Sequence, residues 1–314
     1  MTKKIIIDTD PGIDDAMAIL FAHLSPDVEI VGLTTIFGNV PVEQATQNAL
    51  FLVELMEQEI PVAQGSSKPL VKVIKQYPDF IHGKNGFGDI QLDPPKQKAV
   101  KKDAADFIIE QIKSNPGEIT LVPIGPLTNI ALALEKDPGI TKGVKEVVIM
   151  GGAATVNGNV NPAAEANMLG DPHAADKVFS ANWPLTMIGL DVTHQVVMTE
   201  SFLDSVHNHT GKLGQFLHQI SKLYLDFHQS IGKQGLYTHD PSTIAYLIQP
   251  TLFKTVKGEI RVNTEGVGMG QTIMNSGINS YFETPWSGIP KTNVCVEVDE
   301  EAFLKLYENV MKGH

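Results

Sequence analysis

Short apolar runs alternate with longer amphipathic stretches through much of this chain, and this alternation constrains its fold more than any other feature. The apolar runs are rich in β-branched residues and have the length of buried strands; they are Lys4–Ile7, Val28–Ile36, Ile119–Ile124, Glu146–Met150 and Pro184–Leu190. Helical periodicity falls between them, near residues 14–23, 42–58, 103–114, 126–136 and 172–181. Such alternation is typical of a parallel sheet covered by helices on both faces. The pattern therefore predicts an α/β fold with a mostly parallel central sheet of the open, Rossmann-like type.

The C-terminal part of the chain departs from this alternation. Residues 211–249 have a mainly helical pattern, residues 252–298 resemble additional strands and hairpins, and residues 299–311 resemble a closing helix. No strong linker or internal repeat divides the 314 residues, a length at which single hydrophobic cores stop growing. We therefore expect one domain over residues 1–314, with extra strands and helices near the C-terminus.

The charge balance argues against several classes of partner. The chain has 36 acidic and 24 basic side chains, a formal charge of −12, and Arg261 is its single arginine. Nucleic-acid binders concentrate lysine and arginine against phosphates, so no nucleic-acid partner is expected. One arginine also equips the chain poorly for bidentate phosphate binding. Small, mostly uncharged substrates or a bound cation suit this composition better.

Other sequence features concern the cellular compartment. No stretch reaches the ~18 apolar residues of a membrane span, and the opening MTKKIIIDTD lacks the apolar core of a signal peptide. The single cysteine, Cys295, cannot form an internal disulfide and is predicted to be a small buried side chain. We expect a cytoplasmic protein with no membrane partner.

Polar residues follow the predicted strands where their carboxyl ends meet. They occur in Asp8–Asp15, Gly38–Asn39, Ile124–Asn129, the Asn-rich loop after Met150, and Asp191. Ligands bind at this edge of open parallel sheets, where the connections diverge. The recurrence of polar groups after several strands therefore predicts a shared crevice.

The densest of these groups is the cluster of Asp8, Asp10, Asp14 and Asp15. Asp14 and Asp15 could be ordinary acids in the first turn of a helix, where the macrodipole favours negative charge. That role does not explain Asp8 and Asp10 on the preceding strand. Carboxylates confined this closely repel one another, and a hard divalent cation such as Ca²⁺ or Mg²⁺ would compensate them. Zinc is disfavoured because no cysteine or histidine lies nearby.

A second group is the segment from Asn157 to Asn167, rich in amides with one carboxylate. Asn157 and Asn161 are predicted to form turns and caps. Asn159, Glu165 and Asn167 are better candidates for binding sugar hydroxyls, since Glu165 and Asn167 would alternate to one side of an extended segment.

The segment Thr238–Ser242 places a histidine beside an aspartate at the start of a helical pattern. His239 is a candidate proton donor or acceptor near neutral pH. Asp240 could be a simple N-cap before Pro241, a role that would not prevent it from binding a metal. Four further histidines are predicted at the surface: His207, His209, His218 and His228.

A lysine-rich stretch lies between Lys68 and Lys102, with eight lysines against three aspartates. It is either a solvated surface loop or a mobile lid that carries His82, and the sequence favours neither.

Seven segments together resemble the nucleoside hydrolase family, the inosine–uridine-preferring N-ribohydrolases. In chain order they are DTDPGIDDA, GN after the second strand, VPIGPLTNIALAL, VVIMGGA, the GN…AEAN block, GLDVT and HDP. The resemblance implies that Asp10, Asp15, Asp240 and the backbone carbonyl of Ile124 bind Ca²⁺. It implies that the ribonucleoside's sugar contacts the following residues: Asp14, Asn39, Met150, Asn159, Glu165 and Asn167. It also implies a homodimer or homotetramer.

The resemblance implies hydrolysis of the N-glycosidic bond through an oxocarbenium-like state, with a metal-activated water as nucleophile. Asp10 would be the general base, and His239, with His82, the acid that protonates the leaving base. Direct attack by water implies inversion of configuration. Ala166, Phe227 and Ile231 depart from common family residues near the base, so the preference for purine or pyrimidine stays open.

Two rival functions are compatible with parts of the sequence. The strand-end motif Asp8–Asp10 also resembles the nucleophile motif of haloacid dehalogenase-like phosphatases, although such an enzyme has no use for the Asn159–Asn167 block or for His239. A non-catalytic nucleoside or sugar receptor is the second rival.

Overall fold

The computed structural model describes residues 2–74, 76–278 and 282–313. Its strands are β1 (Lys3–Thr9), β2 (Val28–Thr35), β3 (Val62–Gln64), β4 (Ile119–Pro123), β5 (Glu146–Met150), β6 (Leu185–Ile188), β7 (Val197–Thr199), β8 (Gly235–Tyr237), β9 (Phe253–Val262), β10 (Thr272–Asn275) and β11 (Lys291–Val298). Its longer helices are α1 (Ile13–Leu24), α2 (Val42–Leu55), α4 (Ala104–Ser114), α5 (Thr128–Lys136), α8 (Pro172–Phe179), α10 (Glu200–His207), α11 (Gly211–Ser230), α12 (Pro241–Ile248) and α13 (Glu300–Lys312). The short helices are α3 (Asp79–His82), α6 (Ile140–Gly143), α7 (Ala166–Gly170) and α9 (Leu190–Thr193).

A nine-stranded sheet organises these elements, in the order β10-β9-β11-β6-β5-β4-β1-β2-β3. The six neighbouring strands β6, β5, β4, β1, β2 and β3 pair in parallel, and β11 extends the sheet parallel to β6. Within the described ranges, the antiparallel pairing in this sheet comes from β9, which pairs with β11 on one side and β10 on the other. Strands β7 and β8 form a separate antiparallel pair. This confirms the predicted α/β fold with a mostly parallel sheet and extra strands near the C-terminus.

The strand order reverses at β1, which lies between β2 and β4. The connections that leave the carboxyl ends of β1 and β4 therefore diverge and open a crevice between them. Asp10 follows β1 and Ile124 follows β4, so the topology brings these two residues to the same point.

Alternating side chains on each strand fill two hydrophobic cores, one on each face of the sheet. On β1, Ile5 and Ile7 belong to the first core and Ile6 to the second. The first core contains residues of α1, α2, α10, α11, α12 and α13; the second contains residues of α4, α5, α6 and α8. None of the helices in the described ranges combines the length and apolar character needed to cross a bilayer.

Two expectations about single residues have clear outcomes in these cores. Cys295 is fully buried, as predicted. His207, predicted at the surface, is instead 1 % exposed. The prediction was wrong because His207 lies on the face of α10 that also carries the buried residues Leu203 and Val206, at helical spacing.

Tyr307 provides a test of the packing of the first core. Its ring is fully buried, with a centroid 4.9 Å from that of Phe21, while its hydroxyl has no partner among the described residues. We expect Tyr307→Ala to lower the free energy of unfolding by about 3–5 kcal/mol through loss of the ring. Tyr307→Phe keeps the ring and removes an unpaired polar group, so it should be neutral or stabilise by up to about 1 kcal/mol. Urea unfolding followed by circular dichroism measures both; equal destabilisation by the two variants would contradict this packing.

Candidate active site

The crevice at the carboxyl ends of β1, β2, β4 and β5 contains a cavity of about 710 Å³. Eleven of the twelve predicted site residues line it: Asp10, Asp14, Asn39, His82, Ile124, Met150, Asn159, Glu165, Asn167, His239 and Asp240. Asp15, the remaining predicted ligand, does not line the cavity and is fully buried beside it. The structure thus brings together residues that are up to 230 positions apart, from Asp10 to Asp240.

Three buried carboxylates form the centre of the site. Oxygens of Asp14, Asp15 and Asp240 lie within 4.8 Å of one another. Asp14 and Asp15 occupy the first turn of α1, as expected, and Asp240 precedes Pro241 at the start of α12. The Asp240 side chain makes no capping hydrogen bond, which leaves its carboxylate available to a ligand.

Asp15 is held in place by hydrogen bonds to both of its oxygens. Thr9 Oγ1 and the backbone N–H of Asp10 donate to Oδ1, at 2.5 and 3.2 Å. The backbone N–H of Gly12 and the side-chain amide of Asn39 donate to Oδ2, at 3.0 and 2.9 Å. A carboxylate fixed in this way has a defined orientation toward the centre of the cluster.

Asp10 sits in a close-fitting pocket made by two glycines. The backbone N–H of Asn39 donates to Oδ2 of Asp10 at 2.6 Å, whereas Oδ1 is buried without a donor among the described residues. A Cβ atom on Gly38 or Gly125 would overlap with the Asp10 carboxylate. The Gly38–Asn39 and Ile124–Gly125 segments therefore contribute space as well as polar groups.

Burial perturbs the protonation of every carboxyl group in the cluster. Burial raises the pKa of Asp14 to about 6, and burial followed by the charge of Asp14 raises the pKa of Asp15 to about 6. Burial, followed by the charge of a neighbouring aspartate, raises the pKa values of Asp10 and Asp240 well above the usual range. Repulsion among these buried carboxylates therefore destabilises the cluster unless a positive charge compensates it.

A divalent cation fits this arrangement. The donor set consists of carboxylate and carbonyl oxygens, which hard cations prefer. Oδ1 of Asp10 and Oδ1 of Asp14 are buried and lack hydrogen-bond donors in the described part of the chain. A buried carboxylate without a hydrogen-bond donor or a counter-charge destabilises the folded protein. A bound cation would balance the negative charge and interact with the unpaired oxygens.

The segment that carries Asn159, Glu165 and Asn167 differs from the predicted extended strand. Glu165 is the N-cap of α7 and accepts backbone N–H groups of Gly152, Asn167 and Met168 at 2.8–3.1 Å. Asn167 lies in the first turn of α7, so the expected alternation does not exist. Glu165 and Asn167 nevertheless both line the cavity, because the helix begins at its wall.

Amide side chains order the wall around these residues. The Asn167 side chain donates to the carbonyl oxygens of Ile124 and Met150, at 2.9 and 3.2 Å. Asn159 accepts the N–H of Ala166 at 3.1 Å. Asn161 accepts the N–H groups of Ala163 and Ala164, in agreement with the predicted turn role.

The lysine-rich stretch delivers His82 into the cavity through the short helix α3. His82 is 5 % exposed; its Nδ1 accepts the N–H of Ile13 at 3.3 Å and lies 3.9 Å from Oδ1 of Asp14. Burial lowers the pKa of His82 to about 4. The stretch therefore contributes a histidine to the cavity wall, and its interpretation as a mobile lid stays a prediction.

Aromatic and imidazole rings that the sequence interpretation missed also line the cavity: Tyr224, His228, Tyr237 and His194. Consecutive ring centroids are 4.5 Å apart for Tyr224 and His228, 5.6 Å for His228 and Tyr237, and 4.3 Å for Tyr237 and His194. The predicted surface position of His228 was therefore wrong. The i, i+4 spacing of Tyr224 and His228 on the buried face of α11 is the signal that could have located them.

His239 lies between this group of rings and the carboxylates. It is 9 % exposed, and its ring centroid is 5.6 Å from that of His194. Burial, followed by the proximity of His194, lowers its pKa well below the usual range. The cavity thus has an acidic end at Asp10 and Asp14 and an imidazole-rich end at His239.

Comparisons with known proteins agree with this geometry. The sequence profile of the inosine-uridine preferring nucleoside hydrolase family matches residues 5–305. A probable uridine nucleosidase of Arabidopsis thaliana is 48 % identical over 97 % of this chain and 96 % of its own length. The structure of a plant nucleoside hydrolase superposes with a TM-score of 0.96 at 40 % identity, over 99 % of both chains. A purine-preferring ribonucleoside hydrolase from Gardnerella vaginalis gives a TM-score of 0.91 at 37 % identity, over 99 % of this chain and 98 % of that one.

These matches span nearly the whole chain and confirm the resemblance inferred from the seven segments. They do not favour a haloacid dehalogenase-like phosphatase or a non-catalytic receptor. The family is metal-dependent, which agrees with the buried cluster of Asp14, Asp15 and Asp240. The chain belongs to the inosine-uridine preferring nucleoside hydrolase family and is an enzyme that hydrolyses the N-glycosidic bond of ribonucleosides.

Proposed function

We propose that the protein hydrolyses ribonucleosides with a Ca²⁺ ion held by Asp10, Asp15, Asp240 and the backbone carbonyl of Ile124. The observation that carries this proposal is the set of buried carboxylates with unpaired oxygens at the switch point of the sheet. When bound, such a cation acidifies a water molecule and places it for attack. Asp14, whose oxygen is part of the same close cluster, is assigned to the ribose because it lines the cavity while Asp15 does not.

Asp10 is the proposed general base. Its Oδ2 is fixed by the N–H of Asn39, while its Oδ1 is free to accept a proton from an attacking water. As a ligand of the cation, Asp10 would stand beside the metal-bound water, within reach of its proton.

The sugar is proposed to lie between the acidic cluster and the start of α7. The residues assigned to its hydroxyls and ring are Asp14, Asn39, Met150, Asn159, Glu165 and Asn167. Positive charge develops on the ribosyl group as the glycosidic bond lengthens, and the carboxylates of Asp14 and Glu165 stabilise it. Their positions are fixed before the reaction by α1 and α7, so little reorganisation is needed.

His239, with His82 nearby, is the proposed acid for the leaving base. Negative charge accumulates on the base as the bond breaks, and a proton from the imidazole neutralises it. His82 Nδ1 lies 3.9 Å from Oδ1 of Asp14, and the His82 ring centroid is 5.3 Å from that of Tyr224. The ring-lined end of the cavity is thus assigned to the base and the carboxylate end to the sugar.

Uridine is the substrate we propose to test first, because a relative at 48 % identity carries the name uridine nucleosidase. The experiment is a reducing-sugar assay over uridine, cytidine, inosine, adenosine and guanosine, with p-nitrophenyl phosphate as the phosphatase control. Release of ribose from at least one nucleoside, without phosphate release, is the expected result. Hydrolysis of the phosphate ester alone would overturn the proposal.

Removal of the metal is expected to abolish turnover. Dialysis against EGTA should reduce nucleoside hydrolysis by at least about 100-fold. The enzyme would lose both the activation of water and the positive charge that balances the buried carboxylates. Addition of Ca²⁺ at about 100 times its Kd should restore activity and stabilise the fold by about 2.7 kcal/mol, seen as a higher Tm. A chelated protein with unchanged turnover and unchanged Tm would contradict the metal assignment.

Assembly and location complete the proposal. A homodimer or homotetramer is proposed from the family, and light scattering coupled to size exclusion measures it directly. The single cysteine, buried and unable to pair within the chain, is compatible with the proposed cytoplasmic location.

A further inference from the structure

The GLDVT segment after β6 has no role in the proposed function, although Asp191 and Thr193 are both buried. We infer that Thr193 is a positioning residue for His239: its hydroxyl holds the ring by Nδ1, so that Nε2 faces the leaving base. This inference rests on the proposed role of His239 as the acid.

The contact that supports this inference is direct and protected from solvent. Thr193 Oγ1 lies 2.9 Å from Nδ1 of His239, and Thr193 has no exposed surface. No other hydrogen bond to the His239 ring is present within the described ranges. His194 and Tyr237 touch the ring only as neighbours, with centroids 5.6 and 6.0 Å away.

The short helix α9 keeps Thr193 in a fixed position. Its backbone N–H donates to the carbonyl of Gly189 at 3.1 Å. On the same helix, the carboxylate of Asp191 accepts the N–H groups of Ala154 and Thr155 at 2.9 and 2.7 Å. Helix α9, which carries Thr193, is therefore hydrogen-bonded to the segment that follows β5.

The hydrogen bond determines which ring nitrogen is available to the substrate. Nδ1 is occupied by Thr193, whereas His239 lines the cavity and its Nε2 has no protein partner among the residues described. A hydroxyl both donates and accepts, so Oγ1 holds Nδ1 in either state of the ring: it donates to an Nδ1 without a hydrogen and accepts the hydrogen of a protonated Nδ1. In both cases the N–H group at Nε2 faces the cavity.

The same contact survives the transfer of the proton. The glycosidic C–N bond breaks with its electron pair going to the base; the Nε2–H bond then breaks and an N–H or O–H bond forms on the base. The ring becomes neutral with its remaining hydrogen on Nδ1, still donated to Thr193. No rearrangement of the ring or of its anchor is required during the step.

The test compares Thr193→Val, which removes the hydroxyl at nearly constant shape, with Thr193→Ser, which keeps it. Each is assayed on uridine, or on the best nucleoside of the panel, and on p-nitrophenyl riboside, whose leaving group needs no proton. We expect Thr193→Val to lower kcat on the nucleoside by about 10- to 100-fold, with KM within about threefold and the nitrophenyl substrate little affected. Thr193→Ser should recover most of the loss.

Thr155→Val is the matched control. The Thr155 hydroxyl bonds Asp191 of the same helix at 2.6 Å but does not contact the ring. Removal of the Thr155 hydroxyl should leave the ratio of nucleoside turnover to p-nitrophenyl riboside turnover unchanged. Thr193→Ala is a second hydroxyl-free variant should the valine variant fail to fold, with circular dichroism and Tm as the checks.

His239→Ala, measured alongside, distinguishes the positioning role of Thr193 from the acid role of His239. Selective loss on the nucleoside in both His239→Ala and Thr193→Val supports the inference. Selective loss in His239→Ala, with no loss or an equal loss on both substrates in the Thr193 variants, overturns the role of Thr193 and leaves the acid assignment intact. An unselective effect of His239→Ala overturns the acid assignment and, with it, this inference.

Discussion

Replacement of Asp10 by asparagine is expected to lower kcat/KM for ribonucleosides by about 10⁴-fold. Two functions are lost together: the proposed base that accepts the proton of water, and one charged ligand of the metal. Asparagine has nearly the same shape and can still accept the N–H of Asn39, so the effect is chemical rather than steric. Steady-state release of reducing sugar measures it.

A second readout of Asp10→Asn distinguishes loss of chemistry from loss of folding. In metal-free protein the buried Asp10 repels Asp15 and Asp14, so removal of its charge should leave the Tm unchanged or raise it. In the presence of Ca²⁺ the variant should gain less stability than the parent. The exposed Asp93→Asn is the control and should behave like the parent protein in both assays. An Asp10→Asn enzyme with a tenth or more of the original activity would refute the proposed base and ligand.

The central part of the fold could be predicted from sequence because buried parallel strands are continuous apolar runs. β5 was predicted with the bounds that the structure shows, and the closing helix begins at Asp299, whose side chain accepts the N–H of Ala302. β3 was missed because it has three residues at the sheet edge, too few to form a pattern. The pair β7 and β8 was missed for the same reason, since its strands also have three residues each.

The site could be predicted where chain topology alone determines position. Asp10, Asn39 and Ile124 follow β1, β2 and β4, and parallel strands bring such residues to one edge. Tyr224 and His228 come from α11, and their i, i+4 spacing indicates only that they share one buried face of that helix; that this face packs toward the cavity depends on tertiary structure. The error at Glu165 has a local cause: its carboxylate starts a helix of only five residues, which the preceding Asn- and Pro-rich turn obscures.

The two ends of the cavity are lined by chemically different groups, in the sense that the reaction requires. Carboxylates of Asp10, Asp14 and Glu165 surround the end assigned to the sugar, where positive charge develops. Imidazoles of His194, His228 and His239 surround the end assigned to the base, where negative charge develops. The net charge of −12 is therefore partly concentrated where it stabilises a ribosyl cation, and the same field disfavours anionic substrates such as nucleotides.

The second large effect is expected from His239→Ala. Without the imidazole, the leaving base must depart without the proposed proton donor, and kcat on nucleosides should fall by about 10²–10⁴-fold. Burial of His239 against Thr193 and His194 means that water cannot reproduce its position, so His82 alone should not compensate. The metal site should persist, with the stabilisation of the variant by Ca²⁺ equal to that of the parent protein.

The nature of the leaving group decides whether that loss reflects acid catalysis. p-Nitrophenyl riboside releases an anion that is stable without a proton, so His239→Ala should lower its turnover by less than about tenfold. The ratio of the two losses measures proton donation directly, because both substrates carry the same ribose and differ in the leaving group. Equal losses on the two substrates would mean that His239 acts by shaping the cavity. The charge on the base would then have to be neutralised by another group, for which His82, 3.9 Å from Asp14, is a candidate.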